Sequence, residues 1–290
     1  MNFGGIAIFQ SLCFSIGMPV LSASGLARTF TSKRGPVEAV RGIDLAVERG
    51  EILGFLGPNG AGKTTTLRML TTLLAPTGGS ATVAGCDLAR DPVGVRRATG
   101  YVAQSGGVDP NISVREELFT QARLYRLGAA EARTRTEELA ADLGLTELLD
   151  RRTATLSGGQ RRRLDVAMGL THRPQVLFLD EPTTGLDPGS RADLWELIRR
   201  IRAERGTTVF LTTHYLDEAD ALADRLVIVD KGVVVAEGTP DALKRDHAGS
   251  PDASLQDAFL AITGRSPKLS APSEQGDSPT APQGPSPVAL

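Results

Sequence analysis

One glycine-rich segment, residues 57–64, constrains the fold of this 290-residue chain more than any other. It reads Gly57-Pro58-Asn59-Gly60-Ala61-Gly62-Lys63-Thr64 and follows an apolar run, residues 52–56, that predicts a buried strand. Residues 65–74 carry apolar side chains at helical spacing. A G-x-x-x-x-G-K-[ST] pattern between a strand and a helix is typical of a loop that holds phosphate groups.

The chemistry of this loop predicts a nucleoside triphosphate as its ligand. Glycines let successive backbone N–H groups point into one concavity, and the start of the following helix adds about half a positive charge. Lys63 supplies a full charge for the β- and γ-phosphates, and the Thr64 hydroxyl is placed to ligate Mg²⁺. The alternative is a glycine-rich turn that contains a lysine by chance. That alternative does not explain why all the positions of the pattern occur together between a strand and a helix.

Composition narrows the remaining function classes. The net charge is −2 and the pI is near 6.0, so nothing indicates nucleic acid bound through bulk charge. The two cysteines, Cys13 and Cys86, lie far apart and form no metal-binding or redox spacing, which is compatible with a reducing compartment.

The two ends of the chain differ from its body. Residues 1–27 contain no charged side chain, which is one property of a signal peptide or membrane anchor. No basic residue precedes the apolar run, however, and polar or small residues interrupt it. We therefore predict a poorly ordered extension over residues 1–19, which an upstream start codon would explain, with Met18 as a natural start and a membrane-surface role as the alternative. Residues 265–290 are rich in Pro and Ser and are expected to be disordered, since they bury too little apolar surface.

Between these ends the pattern alternates between strands and helices. Antiparallel strands are predicted within residues 20–47 and at 81–84, with Phe30 in a polar turn. Residues 113–150 are predicted to be helical, beginning at a Ser113–Glu116 capping box. Residues 176–179 are apolar throughout and predict a central parallel strand, and residues 99–103 and 207–212 predict two more. A hairpin at 225–237 and a helix at 255–262 follow.

Two acidic residues, Asp180 and Glu181, end the apolar strand at 176–179. An aspartate at that position can hold Mg²⁺ opposite Thr64, and Glu181 is placed to take a proton from an attacking water. The alternative is a pair of solvated carboxylates at the start of a loop, which an independent phosphate-binding loop disfavours.

Further candidates are individually weaker. Ser157-Gly158-Gly159-Gln160 opens a helix and predicts a second anion site, although an ordinary helix capped by Ser157 would explain the serine. His214 follows a strand, where it could reach a γ-phosphate, but a lone histidine there is more often structural. Gln104 in a loop is normally just solvated, and Phe30 normally packs on the core. We interpret His172 and His247 as surface residues.

Taken in order, these motifs resemble those of the ATP-binding-cassette (ABC) ATPases over residues 20–264. The resemblance is carried by residues 57–64, Gln104, Leu156–Gln160, 176–182, Gly185-Leu186-Asp187-Pro188 and His214. It implies an α/β fold, with a P-loop NTPase core of mostly parallel sheet, an antiparallel β subdomain and an inserted helical subdomain at about 105–165. The ATPase domain would span 20–240, with a C-terminal helical extension at 241–264 before the tail.

The resemblance also implies roles for individual residues, with ATP and Mg²⁺ as cofactors. Phe30 would stack on adenine, and the phosphates would be held by Gly57, Pro58, Asn59, Gly60, Ala61, Gly62, Lys63, Thr64 and Thr65. Thr64, Gln104 and Asp180 would hold the metal, while Glu181, His214 and Gln104 would be catalytic. Ser157, Gly158, Gly159 and Gln160 would act on another subunit's nucleotide, and Asp187 would link the two sites. The residues alone indicate two anion sites, but not that these meet across chains.

Residues 255–264 and the run Arg161-Arg162-Arg163-Leu164 are similar to daunorubicin-resistance-type ABC-2 exporter ATPases. That resemblance implies an ATPase at the cytoplasmic face of the membrane, with a role in antibiotic resistance. It would power efflux of drugs or other small amphipathic compounds through a separate permease. Partners would be a second nucleotide-binding subunit, held in a dimer by ATP, and that integral membrane permease, but no nucleic acid. The alternatives are the ATPase of an importer or of a lipid or polysaccharide exporter, or a non-transport ABC ATPase.

Overall fold

The computed structural model describes residues 18–33, 35–248 and 253–264. Within these residues there are ten strands and nine α-helices. The predicted extension (apart from Met18 and Pro19) and the predicted tail lie outside the described residues. No described helix is long and apolar enough to cross a membrane.

The strands form two sheets. In chain order they are β1 (Leu21–Ser32), β2 (Gly35–Val47), β3 (Ile52–Leu56), β4 (Gly78–Val83), β5 (Cys86–Asp87), β6 (Thr99–Val102), β7 (Val176–Asp180), β8 (Thr208–Thr213), β9 (Arg225–Asp230) and β10 (Val233–Gly238). The first sheet has the order β2-β1-β4-β5 and is antiparallel. The second has the order β10-β9-β3-β8-β7-β6, and its strands β9 to β6 run parallel.

The helices connect and cover the strands. They are α1 (Lys63–Leu70), α2 (Pro92–Ala98), α3 (Val114–Leu124), α4 (Ala129–Asp142), α5 (Gly158–Gly169), α6 (Pro188–Arg205), α7 (Leu216–Leu222), α8 (Pro240–Ala248) and α9 (Leu255–Thr263). The predicted capping box forms at the start of α3, where Ser113 and Glu116 satisfy each other's backbone amides. Helix α2 was not predicted, although Asp91 caps it and Pro92 occupies its first turn.

The parallel sheet has a separate hydrophobic layer on each face. Phe55, Phe178 and Phe210 point to the antiparallel sheet, with ring centroids 5.4 Å apart in neighbouring pairs. Leu177 and Leu211 belong to the other layer, which packs against α3 to α6. Strands β3, β7 and β8 are consequently buried along their whole length. The apolar runs at 52–56 and 176–179 predicted this for β3 and β7.

Two local predictions were wrong. Phe30 lies in β1, paired with Val37 of β2, because the hairpin ladder continues through the residues that we predicted as a polar turn. His172 is partly buried: its Nε2 lies 2.9 Å from the Thr99 carbonyl oxygen, and its ring stacks on Tyr125. His247 is exposed, as predicted.

Candidate triphosphate-binding site

The glycine-rich loop connects β3 to α1, and either close packing or a positive φ angle requires each of its glycines. Gly60 and Gly62 have φ angles of 80° and 100°, which side-chain-bearing residues rarely adopt. A Cβ atom on Gly57 would lie 2.4 Å from the Val229 carbonyl oxygen, and one on Gly62 would lie 2.5 Å from that of Ala39. Gly62 is also the N-cap of α1 and offers no side chain to its first amides, which leaves them available to an anion.

Lys63 is buried, with 5% of its surface exposed, and its ammonium folds back over the loop. Its Nζ donates to the carbonyl oxygens of Gly57 at 2.8 Å and Pro58 at 3.2 Å. The same Nζ lies 3.2 Å from Oε1 of Glu181. A full positive charge is thereby held at the loop by one carboxylate and two dipoles.

Thr64 and Asp180 form the part of the site that suits a divalent cation. The Thr64 hydroxyl donates to Oδ1 of Asp180 at 3.0 Å, and Thr212 donates to the same oxygen at 2.7 Å. A hydroxyl and one carboxylate are hard oxygen ligands, which Mg²⁺ prefers, and it takes its other ligands from water and substrate phosphates. Within the described residues, no group of three or more His, Cys, Asp or Glu side chains is arranged to hold a metal ion.

Glu181 is held in position by both its backbone and its side chain. Its φ of 44° is in the left-handed region, where a residue of this type costs about 1–3 kcal/mol. Its amide donates to the hydroxyl of Thr212 at 3.0 Å. Oε2 of its carboxylate accepts from Gln104 Nε2 at 3.0 Å and lies 3.2 Å from Nδ1 of His214. A candidate proton acceptor is therefore fixed in a strained conformation between three candidate partners, the third being Lys63.

These side chains surround a cavity of about 650 Å³ at the carboxyl ends of the parallel strands. Such an edge is where open α/β sheets bind their ligands. The lining residues are Ala39, Asn59, Gly60, Gly62, Lys63, Thr64, Thr65, Gln104, Glu181, Thr184 and His214. The structure thus brings Gln104 and His214, which were weak candidates alone, to the glycine-rich loop.

Three residues of the site were missed by sequence reasoning. Thr212 holds both Asp180 and the Glu181 amide, and Thr184 lines the cavity with its hydroxyl 3.4 Å from Oε2 of Glu181. Both are threonines directly beside a motif, which is a signal that could have been used. Ala39 carries no such signal, because only the packing of β2 on the loop brings it there.

Phe30 is not among the residues that line this cavity. Its side chain is 36% exposed, and the guanidinium of Arg28 lies 4.7 Å from the centre of its ring. Its partner Val37 is 53% exposed and lies two residues along β2 from Ala39, at the cavity rim. Phe30 is therefore an exposed aromatic side chain with a cation over its ring.

Ser157, Gly158, Gly159 and Gln160 do not line the cavity of their own chain. Ser157 caps α5, with its Oγ accepting from the Gln160 amide at 3.2 Å and Gln160 Oε1 accepting from the Ser157 amide at 3.0 Å. A Cβ on Gly159 would lie 2.7 Å from Oγ of Ser190, so close packing on α6 accounts for one glycine. Ser157 and Gly158 are exposed at the start of this helix.

Asp187 is exposed and caps α6. Its carboxylate accepts from the amide and the hydroxyl of Ser190 at 2.9 Å and 2.6 Å. Two hydrogen bonds lower the pKa of Asp187 below its ordinary value. The one from the Ser190 hydroxyl has the larger effect, and the one from the Ser190 amide has the smaller. Asp187 is therefore an ionised surface group, and like Ser157 it is accessible to another molecule.

Comparisons with known proteins found a matching family and several similar relatives. The family described as ABC transporter matches residues 40–184. The daunorubicin/doxorubicin resistance ATP-binding protein DrrA of Streptomyces peucetius is 49% identical over 224 residues, which cover 77% of this chain and 66% of that protein. The doxorubicin resistance ATP-binding protein DrrA of Mycobacterium tuberculosis is 45% identical over 221 residues, covering 76% of this chain and 66% of its own length. The matched region thus spans about two thirds of these relatives.

Solved structures show the same fold. The ATP-binding subunit of an ABC transporter has a TM-score of 0.73 and 29% identity, covering 84% of this chain and 99% of its own. A dimeric ATP-binding cassette bound to ADP and Pi has a TM-score of 0.68 over 76% of this chain and 98% of its own, and its 24% identity bears on the fold alone.

Proposed function

The chain belongs to the ABC transporter family, and from this premise we propose that it hydrolyses ATP to power efflux of drugs or other small amphipathic compounds through a separate membrane subunit. The observation that carries the catalytic part is the meeting of Lys63, Glu181, Gln104 and His214 in one cavity. The efflux part is supported by the names of the relatives, which are drug-resistance ATP-binding proteins.

In the proposed reaction, the phosphates of ATP take the place of the internal partners of Lys63. Its ammonium exchanges Glu181 for β- and γ-phosphate oxygens, and this leaves the carboxylate free to accept a proton. Water attacks the γ-phosphorus, the bond to the bridging oxygen of ADP breaks, and the proton of the water goes to Glu181. Gln104 and His214 hold the carboxylate and the γ-phosphate in place while this happens.

Thr64 and Asp180 would hold Mg²⁺ in this scheme. Bound there, the ion would neutralise charge on the phosphate oxygens. Phe30 would stack on the adenine through its exposed ring, and Ala39 would form part of the cavity wall.

We further propose that two copies assemble around ATP. Ser157, Gly158 and Asp187 are exposed at helix starts, and a cassette of the same fold is described as dimeric. If the α5 start of one copy covers the triphosphate of the other, Coulomb attraction acts in a gap from which water is excluded. ATP then stabilises the closed dimer and hydrolysis releases it.

The same proposal includes a cellular location and a domain organisation for the chain. It would act as a peripheral subunit at the cytoplasmic face of the membrane, bound to an integral permease. Residues 20–240 would form the ATPase domain, with a helical subdomain at about 105–165 that includes α3 and α4. Residues 241–264 would form the helical extension.

Drug accumulation in cells tests this function. The full chain is co-expressed with a multi-span membrane protein that co-purifies with it from native membranes, and uptake of doxorubicin is followed by its fluorescence. We expect less intracellular doxorubicin with the wild-type chain than with Glu181→Gln, at equal expression of both subunits. Equal accumulation with the two chains, in cells whose purified complex hydrolyses ATP, would refute drug efflux and leave an ATPase of another transport system.

A further inference from the structure

One arginine in the run at 161–163 is buried, and the function proposed above does not use it. The side chain of Arg162 is only 6% exposed, whereas Arg163 next to it is 29% exposed and Arg161 faces solvent. A guanidinium is taken out of water at a large cost unless its donors are bonded. The hydrogen-bond partners of Arg162 therefore indicate which parts of the chain the buried side chain connects.

Those partners are the backbones of two different loops. Nε donates to the carbonyl oxygen of Pro182 at 2.7 Å, and Nη2 donates to that of Asp180 at 3.2 Å. Nη1 donates to the carbonyl oxygen of Ala103 at 2.6 Å and lies 3.7 Å from Oδ2 of Asp165. One planar group thus bridges the end of β6 and the end of β7 from within α5.

Each of these carbonyls is beside a candidate catalytic residue. Ala103 precedes Gln104 in the chain, and Asp180 and Pro182 flank Glu181 on both sides. The bridging side chain itself belongs to the helix that Ser157 caps. Arg162 consequently fixes the start of α5 relative to Gln104 and Glu181 of the same chain.

The geometry of these contacts suits arginine and not lysine. The donors diverge in one rigid plane toward three acceptors, while an ammonium on a flexible stem reaches such a set only in part. A lysine at this position would keep the charge and lose the bridge, which makes it an informative substitution.

We propose that Arg162 is a positioning residue that makes the Ser157 end of α5 and the catalytic loops of one chain move as a single body. The inference rests on the proposed function, in which Ser157 of one copy acts at the nucleotide of the other. A nucleotide contact at Ser157 in one site then shifts Gln104 and Glu181 in the second site. Hydrolysis at the two sites is coupled through this side chain, and positive cooperativity in ATP depends on it.

A structural role alone would have a different signature. Loss of a merely structural contact lowers the melting temperature and weakens ATP binding together with turnover. Loss of a positioning contact lowers kcat and the Hill coefficient while the binding of ATP to Lys63 and its loop stays intact.

The test compares Arg162→Lys and Arg162→Met with Arg163→Met, a matched control one position along the same helix whose partner Asp193 is exposed. For each full-length chain we would measure the Kd of a fluorescent ATP analogue, kcat, the Hill coefficient and the melting temperature. In Arg162→Lys we expect a Kd within twofold of wild type, a Hill coefficient near 1, and kcat reduced about 100-fold, the effect of misplacing catalytic groups by about 1 Å. Arg163→Met should resemble wild type in all four.

Several outcomes would overturn the inference. One is that Arg162→Lys has the kcat and Hill coefficient of the wild type. Another is that the wild-type enzyme is itself non-cooperative. A third is that Arg162→Lys binds ATP more weakly and also melts at a lower temperature. Should Arg162→Met not fold, Arg162→Lys decides, since it keeps the charge. Glu181→Gln is measured alongside: full turnover in that variant would refute the proposed site, while an inactive Glu181→Gln with a normal Arg162→Lys would refute only the coupling.

Discussion

The ammonium of Lys63 lies 3.2 Å from the carboxylate of Glu181, and both side chains are less than 10% exposed. The group proposed to bind phosphate is thus paired with the group proposed to accept the proton. A buried ion pair of this kind is stable only while each charge has a partner. In the proposed mechanism, an incoming triphosphate competes with Glu181 for Lys63, so that substrate binding and release of the base would be one event.

The first prediction follows from the charge of Glu181. Glu181→Gln removes one negative charge beside the triphosphate, so ATP should bind at least as tightly as to wild type. Without a proton acceptor, hydrolysis should fall about 10²–10⁴-fold. ATP-dependent dimers should then persist in size-exclusion chromatography. Glu196→Gln on α6, with its side chain 75% exposed, is the control. Wild-type turnover in Glu181→Gln would contradict the general-base role.

The second prediction concerns Lys63 itself. Lys63→Met should weaken ATP binding about 10- to 150-fold, because a hydrogen bond to a charged group contributes about 1.5–3 kcal/mol. Fluorescence titration with an ATP analogue measures this. Lys244→Met, which removes a lysine of α8 paired with Asp220, should leave the Kd unchanged. A Kd for Lys63→Met within twofold of wild type would show that the loop is not the phosphate site.

The third prediction concerns the shape of the loop. Gly57→Ala would place Cβ 2.4 Å from the Val229 carbonyl oxygen, a backbone atom that cannot move aside. Such overpacking should lower the free energy of unfolding by about 1–3 kcal/mol, read from urea denaturation. Gly107→Ala is the matched control, because its Cβ would meet nothing within 4 Å. Equal stability of the two variants would show that the loop in solution is more open than described.

The fourth prediction is a pH dependence. Glu218 is fully buried and accepts from Trp195 Nε1 at 3.3 Å, and burial raises the pKa of its carboxyl. Folding therefore favours the protonated form. The contribution of protonated Glu218 to the free energy of unfolding is complete below the pKa that this carboxyl has in the unfolded chain. That contribution is lost as the pH rises through the higher pKa of the folded chain.

Glu218→Gln cannot ionise, so it avoids this loss. The free energy of unfolding of Glu218→Gln minus that of wild type should increase as the pH is raised from about 4 toward 8. Urea denaturation at several pH values measures the difference, with the exposed Glu204→Gln as control. A difference that is constant across this range would show that Glu218 has the same pKa in the folded and unfolded chain.

The sequence by itself determined local units of the fold and of the site. The loop at 57–64, the buried strand that ends at Asp180 and the capping box at Ser113 all depend on side chains a few residues apart. Spacing of that kind specifies a turn, a cap or a strand face regardless of what surrounds it.

Only the tertiary structure decided which of these units meet. Thr64 and Asp180 lie 116 positions apart, and Gln104 and Glu181 lie 77 apart. Their contacts exist because β3, β8, β7 and β6 are neighbours in one sheet, an order that no local pattern encodes. The same holds for Arg162, whose two neighbouring arginines look identical to it in the sequence. Its burial follows from how α5 packs across the ends of two strands, and burial is what turns a surface charge into a link between loops.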